Sequence, residues 1–315
     1  INIFCGSPPC VTVASRAATQ RARHPPPVGV GVTDADAAAA GTIELADGLT
    51  VNRMGFGAMR LCAEGIVGAP EDQDHARTVA RRALEHGVDF VDTADSYGPG
   101  VSERLLREAG VPGDAVVATK AGLLRNTETE WLAHGDPDYL QNQALVSRDR
   151  LGVDSIDLLQ LHRPDPDTPF ADSVHALAEL VDEGVVDNVG LSNVTVEQLD
   201  RAREIVDIAC VQNRYNVGYR DEQPVLDACE AAGIAFLPWY PIAAGDLDDV
   251  ADPLDAVAAR HDATRHQIAL AWLLQMSPVT VPIPGTSDLD HLADNVAAAG
   301  IELTDDERRR LDEAA

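Results

Sequence analysis

The pattern of apolar runs along this 315-residue chain predicts an α/β protein, a single (β/α)8 TIM barrel behind an N-terminal β-hairpin. Three observations carry that expectation. β-Favouring runs recur near 53–59, 88–93, 115–120, 156–162, 186–191, 208–212, 234–239 and 279–283, with helical patterns between them. Each strand–helix unit takes roughly thirty residues, the size of a βα crossover unit. An open doubly wound sheet would show a glycine-rich turn after its first strand. Here Gly55-Phe56-Gly57 runs into Ala58-Met59-Arg60-Leu61 with no third glycine, so the closed barrel is preferred.

Residues 1–40 do not share the composition of the rest. No Asp or Glu occurs through Thr33, whereas Arg16, Arg21, Arg23 and a Pro25-Pro26-Pro27 run do. The segment is read as a disordered or spurious extension, and the barrel domain is expected over 41–315. Order begins with a hairpin, Thr42-Ile43-Glu44-Leu45 and Leu49-Thr50-Val51 around Ala46-Asp47-Gly48, because Asp-Gly between alternating runs is a strong hairpin signal. Helices are expected over Asp74–Glu85, Tyr139–Arg150, Phe170–Val181 and Thr195–Val206. Asp172, Thr195 and Thr304 suit N-caps or first turns, and Gly87, Gly184 and Gly233 suit the position just after a helix.

Composition bounds the function. Hydrophobic residues make up 45%, a globular proportion, and no apolar run reaches the eighteen or so residues that a membrane-spanning helix needs. A net charge of −28, from 52 acidic and 24 basic residues, would repel phosphate and so argues against nucleic-acid or anionic-membrane partners. Two sources for that acidity stand side by side: a high-salt cytoplasm, where screening removes self-repulsion, and GC-rich codon usage. Cys5, Cys10, Cys62, Cys210 and Cys229 show no metal or disulfide spacing, and the last three read as buried thiols of a reducing, cytoplasmic compartment.

In a barrel the C-terminal strand ends face the active site. Asp92, Lys120 and His162 each end an apolar strand, and period-2 alternation puts them on the same face as Phe90, Ala118 and Gln160. Tyr97 follows in the loop after the second strand. Singly, a strand-end Asp is more often a turn former and a His before Pro164 a satisfied loop residue. Lys120 differs, being the chain's sole lysine against otherwise all-arginine bases. On an inward strand position it needs a carboxylate, and Asp92 is the partner expected. Tyrosine ordinarily titrates near ~10. A neighbouring ammonium and imidazole are expected to lower that value and make the phenol a usable proton donor for a carbonyl oxygen. No metal-ligand cluster competes.

Six stretches in order resemble the motifs of aldo-keto reductases: Phe90-Val91-Asp92-Thr93-Ala94-Asp95-Ser96-Tyr97-Gly98, Val117-Ala118-Thr119-Lys120, Leu158-Leu159-Gln160-Leu161-His162-Arg163-Pro164, Gly190-Leu191-Ser192-Asn193, Val211-Gln212-Asn213-Arg214-Tyr215-Asn216 and Val281-Pro282-Ile283-Pro284-Gly285-Thr286-Ser287. The resemblance spans about residues 42–314. It implies NAD(P)H-dependent reduction of an aldehyde or ketone, a small-molecule carbonyl substrate, and Asp92, Tyr97, Lys120 and His162 as the catalytic tetrad. It also implies that Ser192, Asn193 and Gln212 hold the nicotinamide carboxamide and that Trp239 stacks on its ring. Further cofactor contacts are implied at Gly57, Met59, Tyr240, Pro241, Ile242, Gly285, Thr286, Ser287, His291, Asp294 and Asn295. NADP(H) is the expected cofactor, with NAD(H) as the alternative. Gly285 and His291 stand where many relatives carry Lys and Arg for the adenosine 2′-phosphate, leaving the Thr286 and Ser287 hydroxyls and helix N–H groups as the expected grip. The rival reading, also implied by resemblance, is a cofactor-binding redox sensor like the potassium-channel β subunits. Substrate choice is expected to lie in loops 61–71, 122–138 and 242–252.

Overall fold

The computed structural model describes residues 35–314. Most of the expected 1–40 extension lies outside the described residues. Its last residues are packed: Ala37–Ala40 forms a 3-10 turn capped by Asp36, with Ala37 buried.

The hairpin pairs Thr42–Ala46 with Leu49–Asn52. Its turn glycine, Gly48, takes φ +75°, a backbone region where a Cβ would be strained. Leu45 and Val51 point from the hairpin into a cluster with Phe90, Val116, Ala118, Leu158, Ala235, Leu237 and Val281. The hairpin therefore stoppers the barrel interior.

The barrel wall is a parallel seven-stranded sheet. In chain order its strands are Phe56–Gly57, Phe90–Asp92, Val116–Ala121, Leu158–Leu161, Val189–Ser192, Ile208–Gln212 and Ala235–Phe236. An eighth stave, 279–285, closes the circle. Val281 N–H donates to Phe236 O (2.8 Å) on one side, while Gly55 and Gly57 N–H donate to Pro282 O (3.0 Å) and Pro284 O (3.2 Å) on the other. Pro282 and Pro284 have no N–H to return, so this stave carries only part of a ladder.

Helices pack outside the strands around the larger core cluster. Gln73–Glu85, Pro137–Leu151, Phe170–Asp182 and Val196–Arg203 fall where the periodicity expected them, with ends shifted by up to a few residues. Thr195 and Thr304 close capping boxes with Gln198 and Glu307, and Asp172 lies in a first turn. Two loops hold more structure than expected. Leu123–Arg125 and Trp131–Ala133 form a small antiparallel ribbon within 122–138, and Ala251–His261 is a helix that begins inside 242–252.

Candidate active site

Asp92 and Lys120 end adjacent strands, the second and third, in parallel register, and their side chains meet under the mouth of the barrel. Lys120 Nζ donates to both Asp92 carboxylate oxygens (2.7 Å each) and to Thr93 O (2.8 Å). Asp92 Oδ1 also accepts from Gln212 Nε2 (2.7 Å) and Gln160 Nε2 (3.1 Å). Gly190 makes room for this network, since a Cβ there would lie 2.6 Å from Cys210 Sγ and 2.9 Å from Gln160 Cγ. Lys120 is wholly buried, so it supports the cavity floor without lining it.

Tyr97 is carried over this pair by a turn that needs Gly98 at φ +81°, where a Cβ would strike Val101 Cβ at 2.5 Å. Lys120 Nζ lies 5.2 Å from the Tyr97 ring centre, and the His162 ring stands edge-on at 5.9 Å. The imidazole is buried, with Nδ1 3.4 Å from Ser96 Oγ. Tyr97, Asp92 and His162 share one cavity of about 850 Å³.

The electrostatics depart from the sequence expectation in two ways. Burial raises the Tyr97 phenol above its ordinary value; the Lys120 ammonium pulls it down but does not win, and Asp92 opposes it. The His162 imidazole is held well below its ordinary value by burial, then by Lys120 and Arg163. It is therefore neutral and acts on the phenol and on a substrate as a hydrogen-bonding group, not as a second cation. Burial pulls Lys120 down, yet the nearby Asp92 and Tyr97 outweigh it and keep the ammonium charged.

Every residue expected to touch a cofactor lines the same cavity: Gly57, Met59, Ser192, Asn193, Gln212, Trp239, Tyr240, Pro241, Ile242, Gly285, Thr286, Ser287, His291, Asp294 and Asn295. Several already hold one another. Asn193 donates to His162 O (3.1 Å) and Ser192 Oγ (2.9 Å) and accepts from Trp239 Nε1 (3.1 Å), which fixes the indole. Gln212 gives its amide N–H groups to Asp92 and Gln160, so its carbonyl oxygen is the end left for a ligand. Glycine at 57 and 285 is steric. A Cβ on Gly285 would sit 2.6 Å from Gly57 O, and one on Gly57 2.7 Å from Ile283 O. A lysine is therefore excluded at 285 by the backbone seam itself.

One expectation about phosphate is corrected. Asp288 N-caps the last barrel helix, Leu289–Ala297, and its carboxylate accepts from Asp290 N and His291 N (2.9 Å each), while Asp288 N donates to Thr286 Oγ1 (3.0 Å). Those two N–H groups are engaged by a carboxylate, which narrows the expected grip toward the Thr286 and Ser287 residues themselves and the His291 ring. Ile66, Leu123 and Trp131, from the loops 61–71 and 122–138 expected to choose the substrate, also line the cavity; the sequence reading missed Thr264 and His266. Trp131 stands edge-on to Tyr97 at 6.4 Å and carries the Arg125 guanidinium 3.8 Å over its ring centre. A tryptophan within an otherwise polar loop was the signal that could have singled it out.

An acid–lysine pair under a phenol, beside a neutral imidazole and a long cavity with a flat indole face, defines a site for proton transfer to a carbonyl coupled to a bound redox cofactor. No metal-holding group of His, Cys, Asp or Glu occurs among the described residues. The sequence matches the Aldo/keto reductase family over residues 53–315. An uncharacterized oxidoreductase of Schizosaccharomyces pombe is 48% identical, with 88% of this chain and 91% of that protein covered. Pyridoxine 4-dehydrogenase of Escherichia coli is 41% identical, over 84% of this chain and 94% of that protein. The crystal structure of a glycerol dehydrogenase from Gluconobacter oxydans superposes with a TM-score of 0.80 at 26% identity, covering 88% and 95% of the two chains. The chain belongs to the aldo-keto reductase family. It is an NAD(P)H-dependent oxidoreductase that interconverts carbonyls and alcohols.

Proposed function

We propose that this chain reduces an aldehyde or ketone with NADP(H), NAD(H) being the alternative, using Tyr97 as general acid. The carrying observation is the Tyr97 phenol over the Lys120–Asp92 pair (Nζ to ring centre 5.2 Å), sharing a cavity with the His162 ring. A cofactor fits the residues present: Trp239 offers a face for a nicotinamide ring, Gln212 keeps an unused carbonyl oxygen, and the bare backbones of Gly57 and Gly285 allow close approach. That cofactor, when bound, supplies the hydride.

The protein supplies the rest. Tyr97 donates its proton to the substrate oxygen, and Lys120 favours the phenolate that remains. Asp92 keeps the buried Lys120 charged. His162, as a neutral ring, donates an N–H to the same oxygen and orients the carbonyl. Gln160 and Gln212 hold Asp92 in register from the fourth and sixth strands. We place the protein in the cytoplasm, in keeping with Cys62, Cys210 and Cys229, which are free and buried. No helix among the described residues is long and apolar enough to cross a membrane.

The test is NADPH oxidation against a panel of aldehydes, with pyridoxal included because of the Escherichia coli relative. Tyr97→Phe should lower turnover by about 10²–10⁴-fold while dinucleotide binding, read by Trp239 fluorescence, is retained. Equal turnover in the variant would sink the mechanism. Cofactor binding without turnover of any aldehyde by the unmodified protein would favour the redox-sensor reading.

A further inference from the structure

We propose that Asp95, acting through the Ser96 hydroxyl, sets which imidazole nitrogen of His162 carries the proton, and thereby switches the site between gripping a carbonyl and gripping an alcohol. The proposal rests on the reading of His162 as the group that orients the substrate oxygen, and it gives work to a buried acid that the mechanism above leaves idle.

The three groups lie close together and are buried. Ser96 Oγ is 3.4 Å from His162 Nδ1. Since Nδ1 faces Ser96, Nε2 is the nitrogen left for the cavity that the ring lines. Asp95 Oδ2 accepts from the Tyr139 hydroxyl at 3.2 Å, but Asp95 Oδ1 has no hydrogen-bond partner. A carboxylate oxygen without a donor is costly away from water. No hydrogen bond joins the Asp95 carboxylate to Ser96 in this structure, but the Ser96 hydroxyl and N–H, from the next residue, favour its charged form.

Among the described residues no cation acts on Asp95 to keep it ionised. Glu103, fully buried, faces it with a like charge, and the guanidinium on that side, Arg150, turns to Glu103 Oε2 at 3.3 Å. Tyr139 offers only a hydroxyl, and Lys120 meets Asp95 through its backbone, Asp95 N–H donating to Lys120 O at 3.1 Å. Burial, reinforced by Glu103, pushes the Asp95 carboxyl up to about 7, into the range where a cell's pH decides its state. On the ring side, burial first, then Lys120 and Arg163, keep His162 neutral. One proton therefore has two places on the imidazole.

A serine hydroxyl has one hydrogen to give. With Asp95 protonated, its O–H donates to Ser96 Oγ, and the Ser96 O–H turns to His162 Nδ1. The ring proton then sits on Nε2 and is offered to a carbonyl oxygen. With Asp95 ionised, the Ser96 O–H turns to the carboxylate and Oγ accepts from Nδ1–H. Nε2 then presents a lone pair, which repels a carbonyl oxygen but accepts the O–H of an alcohol. One proton leaves Asp95 for solvent, while the ring remains neutral and exchanges Nε2–H for Nδ1–H.

The experiment has two arms. In the first, ¹⁵N NMR of imidazole-labelled protein without substrate or cofactor follows the His162 tautomer from pH 5.5 to 9. The expected result is a change from Nε2–H to Nδ1–H near pH 7, absent in Asp95→Asn and in Ser96→Ala and restored in Ser96→Thr. In the second, the carbonyl KM should rise about tenfold through pH 7 while the alcohol KM falls, as one exchanged hydrogen bond implies, and both trends should be lost in Ser96→Ala. A tautomer constant across pH 7 in the unmodified protein overturns the proposal, as does a switch that persists in Ser96→Ala. The NMR arm needs no turnover, so its outcome is separate from the fate of Tyr97 as general acid.

Discussion

Lys120 Nζ lies 2.7 Å from each carboxylate oxygen of Asp92, and the two side chains are 0% and 4% exposed. At that burial neither group has water to replace the other. Asp92→Asn keeps the shape but leaves Lys120 charged with a neutral partner, and removing one member of such a pair costs about 3–5 kcal/mol. Urea unfolding of Asp92→Asn should show a loss of that size together with reduced turnover. A loss under about 1 kcal/mol would mean that Thr93 O and the side-chain oxygen that remains at position 92 satisfy the ammonium unaided.

The Asp95 carboxyl makes stability depend on pH in a direction opposite to most acids. Its ordinary value of 3.8 applies to the unfolded chain and about 7 to the folded one, so the folded state holds the extra proton between them. The stabilisation is therefore complete below pH 4, falls as pH rises toward 7, and stays lost above it. Its size is on the order of 4 kcal/mol at most. Urea midpoints of unmodified protein and Asp95→Asn, compared at pH 5 and pH 8, should shift relative to one another in favour of the variant at pH 8. A constant difference would place the Asp95 titration elsewhere.

Gly285 marks where the seam of the barrel meets the cofactor path. In Gly285→Ala the new methyl would lie 2.6 Å from Gly57 O, a backbone atom with no rotamer to change. Overpacking of this kind costs about 1–3 kcal/mol. Both the unfolding midpoint and NADPH affinity by fluorescence titration should fall, and retention of both would show that the seam can widen freely.

Trp131 stands at the Tyr97 end of the cavity, away from the last helix. Trp131→Ala removes an apolar wall from the reacting end, with loss of about 1.5 kcal/mol of substrate contact or roughly tenfold in affinity. The aldehyde KM should rise by that factor with NADPH affinity unchanged. A matching loss of NADPH affinity would move Trp131 to the cofactor's side.

The meeting of Asp92, Lys120 and His162 at one mouth was legible in the sequence because strand alternation and the strand-end rule fix where they must point, and a sole lysine on an inward position narrows the choice of partner. Distances of 2.7 Å bear that out for Asp92 and Lys120. The proton energetics were not legible, because burial cannot be summed from residue types: desolvation outweighs Lys120 at Tyr97 and neutralises His162. The Asp288 cap was hidden for a related reason. An acid after Thr286-Ser287 reads as a nearby charge, and only coordinates show it taking the N–H groups of Asp290 and His291. Trp131 was not singled out within its loop because the ribbon that carries it is a tertiary product of that loop.

The two prolines of the closing stave set where the cylinder is least firmly laced. Strands three to five share continuous ladders, whereas 279–285 meets its neighbours through a few amides of Gly55, Gly57, Phe236 and Val281. Opening there exposes few hydrogen bonds, and a joint so sparsely laced is a place for local opening. Gly57 and Gly285 stand on that joint and line the cavity, so a dinucleotide seated across them would act as a removable fastener. Occupancy of the site would then govern how long the molecule survives as well as what it catalyses, and a cell rich in the cofactor would lengthen the enzyme's lifetime by mass action.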